Sequence, residues 1–196
     1  YFSQGGIGAI ATRPEVVERI RTRLRTSGEV PERHHLLDGM TVAVQDSTAA
    51  HLYAEAKLST TTVLVCGSLP AAFEHAATGQ SPLIDVIIGA HPVLEFMVKT
   101  TRRDWQLLTR EGQAPLRFTQ ADYAVVMAEE RYALRRFIND VIFQLDESGR
   151  LKQMRHRWID ESYAYPRRAS SEGLPFDVGK MPAHYAQGTC RAASSH

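Results

Sequence analysis

Leu37-Asp38-Gly39-Met40-Thr41-Val42-Ala43-Val44-Gln45-Asp46-Ser47-Thr48-Ala49-Ala50 carries three structural signals in order. Asp38-Gly39 is turn chemistry, Thr41 to Val44 is a short β-rich run, and Ser47-Thr48 is a helix-capping pair ahead of good helix formers from Thr48 to Leu58. Strand, cap and helix in that order make a βα unit. The same alternation continues outward. Thr61 to Val65 reads as a buried strand, Leu69 to Thr78 as a helix stopped by Gly79, Leu83 to Ile88 as a strand, and Pro92 to Lys99 as a helix. Upstream, Gly6 to Thr12 reads as a strand. Pro14 to Arg25 follows as a one-faced helix with Val17, Ile20 and Leu24 on its apolar side. Trp105 to Leu108 reads as an edge strand. Repeated βα units predict an α/β fold, a mostly parallel sheet flanked by helices.

Composition agrees with a folded domain. The chain has 196 residues, 43% of them apolar and 23% charged, and 23 basic against 22 acidic side chains leave a net charge of +1. Collagen, a highly charged disordered tail and a coiled-coil rod are excluded by these averages, and no net field recommends nucleic acid as a partner. No apolar run approaches the ~20 residues that span a bilayer. The start, Tyr1 to Gly5, has neither the basic nor the apolar region of a secretion signal, which says nothing about compartment. Cys66 and Cys190 are far apart in different contexts and are read as two thiols, Cys66 buried.

After residue 121 the pattern changes. Asp122 to Ala128 reads as a strand much like the first, and two amphipathic helices follow. Leu134, Phe137, Ile138, Val141 and Leu145 share one face, as do Leu151, Met154 and Trp158 after Gly149, and both faces need an apolar cover. Beyond Ile159, recurring Pro and Gly break any period and predict an extended or disordered tail over 161–196.

Three collinear stretches resemble family 3 extracellular solute-binding proteins. Leu37 to Ala50 resembles the family's "LkGkkVgVqaGTTae" segment, Gly79 to Val93 its "GrvDAvigDxpv", and Tyr123 to Trp158 its C-terminal "ygiavrk…Lrxfv N…G…W" pattern, with Asn139, Gly149 and Trp158 in place. The resemblance covers roughly residues 6 to 160. It implies a type II periplasmic binding fold, two α/β lobes joined by two hinge strands around a solute. On that mapping, 6–13 and 123–128 are the hinge strands, 14–122 is the second lobe, and 129–160 holds C-terminal helices returning to the first lobe. On that mapping most of the first lobe, which in the family precedes the first hinge, has no counterpart in this sequence. The resemblance therefore implies a fragment or a truncated relative, with Phe137, Val141, Met154 and Trp158 covered by the missing lobe, a second copy or the tail. It also implies a periplasmic or extracellular location and a membrane permease as partner.

The implied ligand residues are Ser47, Thr48 and His91, with Gln45 and Asp46 extending the same loop. A helix N-terminus after a strand attracts a carboxylate through free amides and the helix dipole, although an ordinary cap uses the same residues. Ser47 replaces the glycine of "GTT" and Ala49 its second threonine. Where the family carries an aspartate for the ligand ammonium, this chain reads Ala90-His91-Pro92, and neutral imidazole is a weaker acceptor than carboxylate. An acid, an amide or another neutral or anionic solute then fits as well as an amino acid. Asp85 matches the family's "D" before the fourth strand, in a structural role.

No catalytic residue, cofactor or metal is called for. Gly5 to Gly8 precedes a strand where a phosphate loop precedes a helix, no Gly-x-Ser-x-Gly elbow occurs, and Cys66-Gly67-Ser68 lacks an assignable base. Among eight histidines, His34 and His35 are adjacent and expected to point apart. Clusters such as Arg19 to Arg25 read as solvated helix faces. The expectation is a non-enzymatic binding protein for a small polar or acidic solute feeding an ABC-type transporter. Its rivals are a receptor input domain and a dehydratase on the same scaffold, with His91 moving the proton.

Overall fold

The computed structural model describes residues 5–26, 32–101, 104–110, 114–120, 124–157 and 189–193. A six-stranded sheet carries the order β5-β1-β4-β2-β3-β6, with β1 at Ile7–Ala11, β2 at Thr41–Gln45, β3 at Thr62–Cys66, β4 at Val86–Ala90, β5 at Gln106–Leu107 and β6 at Cys190–Ala192. The parallel character expected of the sheet is confined to its centre, where β2 pairs with β3 and β4. Antiparallel strands flank it: β1 runs against β4 and β5, and β6 against β3. The helices are α1 (Pro14–Thr26), α2 (Ala49–Lys57), α3 (Leu69–Thr78), α4 (His91–Thr101), α5 (Tyr132–Glu147) and α6 (Arg150–Arg155), with a 3-10 helix at Arg33–Leu37.

Alternation along the central strands makes two cores. Val42 and Val44 of β2 with Val86 and Ile88 of β4 face Val16, Val17 and Ile20 of α1 and Ala50 and Ala54 of α2. Ala43 and Ile87 face the other way, into Leu69, Ala72 and Phe73 of α3 and Leu94 of α4. Ile87 and Ile88 are both fully buried, on opposite faces, so each is worth about 1.5–3 kcal/mol of apolar transfer. A strand buried on both sides explains why its sequence is continuously apolar. Gly8 permits a close approach of strand to helix, since a Cβ there would lie 2.9 Å from the His91 ring nitrogen Nδ1 and 3.3 Å from its Cα. Gly79 ends α3 at a left-handed φ of 66°, as the sequence predicts for a helix stop.

Four regions depart from the sequence reading. The fourth strand starts at Val86, three residues later than read, because Leu83 is half exposed and Ile84 and Asp85 belong to the turn into it. Residues 124–128, read as a second hinge strand, have no strand structure, and Val126 is 94% exposed. A strand needs a partner edge, and no described strand pairs with this one. Tyr123 and Trp158 lie outside the described residues. Within 161–196, residues 190–192 form β6, and the two cysteines are not thiols: Cys66 and Cys190 are a disulfide, set opposite each other by the β3–β6 register. The adjacent His34 and His35 also differ, their rings sitting 4.2 Å apart in the 3-10 helix.

The two C-terminal helices form as read and break at Gly149. None of their residues is buried, and Phe137 is 64% exposed. Arg155 of α6 is tied to Glu95 of α4 by an ion pair at 2.9 Å. No described helix is long and apolar enough to cross a membrane.

The disulfide closes a separation of 124 residues and fixes β6 to an otherwise open edge of β3. Closing a loop of that size removes unfolded-chain entropy worth roughly 2–5 kcal/mol. Reduction, or Cys190→Ser, is expected to lower urea-unfolding stability by that amount, read by circular dichroism with and without reductant.

Candidate functional site

Three elements meet at a pocket of about 260 Å³: the start of β1 at Gly6 and Ile7, the β2–α2 junction from Gln45 to Ala50, and the end of β4 at Gly89 and Ala90. Leu69 and Val93 add apolar wall, and Thr119 reaches in from the segment crossing β1. This is the C-terminal end of the parallel strands, where α/β sheets place ligands. Among the described lining residues none is ionisable, and the polar side chains are those of Gln45, Thr48 and Thr119.

The β2–α2 junction is built by a backbone turn and a cap. Ser47 has φ 56°, the left-handed conformation that glycine adopts freely and that costs another residue about 1 kcal/mol. A serine thus holds a turn that glycine would adopt without strain. Ser47 N–H donates to His51 Nδ1 at 3.1 Å and its hydroxyl to Asp46 Oδ1 at 3.2 Å, which offsets part of that cost. Thr48 is the N-cap of α2, its Oγ1 accepting from His51 N–H at 3.3 Å while donating to the Gln45 carbonyl at 2.7 Å. With its proton committed to Gln45, the hydroxyl cannot also donate to a ligand carboxylate. The first-turn amides of α2 have no intrahelical carbonyl to bond, and they are the donors this junction leaves toward the pocket.

Of the residues predicted from sequence, Gln45 and Thr48 line the pocket, and Ser47 shapes it through its backbone. Asp46 does not line it. Its carboxylate faces His51 Nδ1 at 3.2 Å and Arg191 Nη2 at 3.3 Å, next to the disulfide strand. His91 does not line it either, and Ala90, one residue earlier, does. At His91 the chain has already turned into α4. The His91 amide donates to the Gly6 carbonyl at 2.9 Å, and its ring packs on Gly8, 5% exposed. Thr119 was missed because no local motif marks it. It is placed by the β1 edge, where Ile7 N–H donates to Thr119 Oγ1 at 3.1 Å and Phe118 N–H to the Ile7 carbonyl at 2.8 Å.

Burial pushes the His91 imidazole below its ordinary pKa, Arg117 and Arg155 add to the effect, and Glu95 opposes it. The unfolded chain binds the proton more readily, so the stability is fully present above about pH 6.5 and is lost as pH falls below it. Urea midpoints at pH 7.5 and 5.0 are expected to drop more for the native chain than for His91→Asn. Equal slopes for the two proteins would show that His91 is not the buried titrating group.

No protein-family model and no curated protein matches the chain. Solved structures do. An arginine-bound amino-acid ABC transporter substrate-binding protein, AbpA, from Streptococcus pneumoniae aligns over 76% of this chain and 54% of its own at 17% identity and a TM-score of 0.57. A mutant of ArgBP from T. maritima gives 20% identity, 80% and 58% coverage and a TM-score of 0.57. The GluR0 ligand-binding core in complex with L-glutamate gives 18% identity, 79% and 60% coverage and a TM-score of 0.56. The chain spans a little over half the length of each. Over that span it has the fold of the type II periplasmic binding proteins that its sequence resembles.

Proposed function

We propose that this chain is the second-lobe half of a solute-binding cleft, and that its solute is a small organic acid with an apolar body and no ammonium group. The observation that carries this reading is the pocket wall itself. A helix N-terminus with unpaired amides faces Leu69, Val93 and Ala90, and no described carboxylate lines the pocket to meet a cation. The family pattern has its aspartate just before "xP", and in this chain that position is Ala90. Neighbours of similar fold are described as bound to L-arginine or L-glutamate, which supports solute binding as the coarse function. The loss of the carboxylate moves the class of solute.

A binding role is favoured over the dehydratase alternative. One fold neighbour is an ancestral amino-acid-binding protein described as a precursor of cyclohexadienyl dehydratase, but proton transfer needs an ionisable group within reach of the substrate. None lines this pocket among the described residues, and His91 packs on Gly8. The Cys66–Cys190 disulfide supports a periplasmic or extracellular location, because such bonds persist in oxidising compartments. The exposed stripe of Phe137, Val141 and Met154 suits a first lobe docked on α5 and α6, with a second copy of the chain as the alternative cover. A membrane permease is the partner this assembly would serve.

Amide spectra of the labelled full chain test the ligand class. Short-chain aliphatic carboxylates are expected to shift the Thr48, Ala49 and Ala50 amides saturably. The matching carboxamides and α-amino acids should bind at least about 10-fold more weakly, the difference a charge-assisted bond makes. Preference for the amino acid, or no shift at these amides, would overturn the reading.

A further inference from the structure

The 3-10 helix Arg33–Leu37 presents a group of side chains that the solute pocket does not use. One ligand atom from each of Glu32, His34 and His35 lies within 4.8 Å of the other two. His34 Nδ1 and Glu32 Oε2 are 3.4 Å apart, close to the edge of about 3.3 Å that separates two ligands of a tetrahedral zinc ion bound at ~2.0–2.1 Å. We propose that Glu32, His34 and His35 form a binding site for a divalent transition-metal ion of the zinc class, its fourth position left to solvent.

The surroundings are those of a supported site. Asp38 Oδ2 lies 3.1 Å from His35 Nδ1, and a ring proton directed at that carboxylate leaves the Nε2 lone pair free for a metal. Asp38 is in turn held by the Thr60 hydroxyl, which donates to its Oδ1. The backbone is fixed from two sides. Leu36 and Leu37 are buried in the core, and Arg23 of α1 donates to the carbonyls of Leu36 and Asp38 at 2.8 and 2.9 Å. The backbone that carries His34 and His35 is thus held in place, with Glu32 at its N-cap.

Two imidazoles and one carboxylate select borderline metals such as zinc over magnesium or calcium, which take oxygen ligands. The site is independent of the solute pocket. The 3-10 helix leads into β2 at Thr41, whereas the pocket gathers at Gln45, four residue steps of about 3.3 Å further on. Metal bound here would brace the α1–β2 connection and leave the cleft open.

Calorimetric titration of zinc chloride into the chelator-stripped full chain at pH 7.5 tests the assignment. One ion per chain is expected. The double variant His34→Ala/His35→Ala should abolish that heat, Asp38→Asn should weaken binding about 10-fold, His75→Ala should leave it unchanged, and excess magnesium should not compete. Circular dichroism of each variant shows whether the fold is retained. Undiminished binding in the folded double variant, or no saturable binding at millimolar zinc, would overturn the proposal.

Discussion

The carboxylate of Asp85 ties together the ends of three strands, and the sheet's register depends on it. One oxygen accepts from Arg13, just after β1, and the other from the Thr41 amide that opens β2, at 2.9 Å. Its own backbone closes the ring, with the Asp85 amide donating to the Thr41 carbonyl at 2.9 Å and its carbonyl accepting from Thr12 N–H at 3.1 Å. Thr12 adds a hydroxyl bond to the Ile84 carbonyl at 2.6 Å. A carboxylate accepting from two other elements makes stronger bonds than a neutral group would, and one residue thus aligns β1, β2 and β4 at one end. A slip of one residue in any of them would exchange the two cores, because alternate side chains serve opposite faces.

The consequence appears at the other end of the same strands. With β2 and β4 in register, Gln45 and Ala90 end side by side near the start of the antiparallel β1, and the first turn of α2 opens between them. The Ser47 turn and the Thr48 cap aim the helix axis at this space. The first-turn amides of α2 are therefore donors that the pocket offers, while the side chains around them set its size and apolarity. Ala90 and His91 differ by one step in sequence yet face different surroundings, since the strand ends between them.

Local pattern was enough to read most of the architecture. Val42 and Val44, the Ser47-Thr48 pair and Gly79 encode strand, cap and stop within a few residues of where they act, and Val17, Ile20 and Leu24 mark the buried side of α1. What stayed hidden was set by distance or by geometry finer than periodicity. The pairing of Cys66 with Cys190 depends on β6 returning across 124 residues, which no local signal announces. Thr119 reaches the pocket only because its segment packs along β1. The family pattern points to His91 through its place next to Pro92, whereas the boundary between strand and helix decides which side chain faces the pocket. Residues 124–128 look like a strand by composition, but composition does not supply a partner edge.

Hydrogen exchange on Asp85→Asn measures the claim that one carboxylate organises the sheet and, through it, the pocket. Amides of β1, β2 and β4 are predicted to lose protection together, with the first turn of α2 following and α5 unchanged, because α5 does not depend on that register. Protection retained across β1, β2 and β4 in the variant would contradict the account and place the origin of the register in core packing alone.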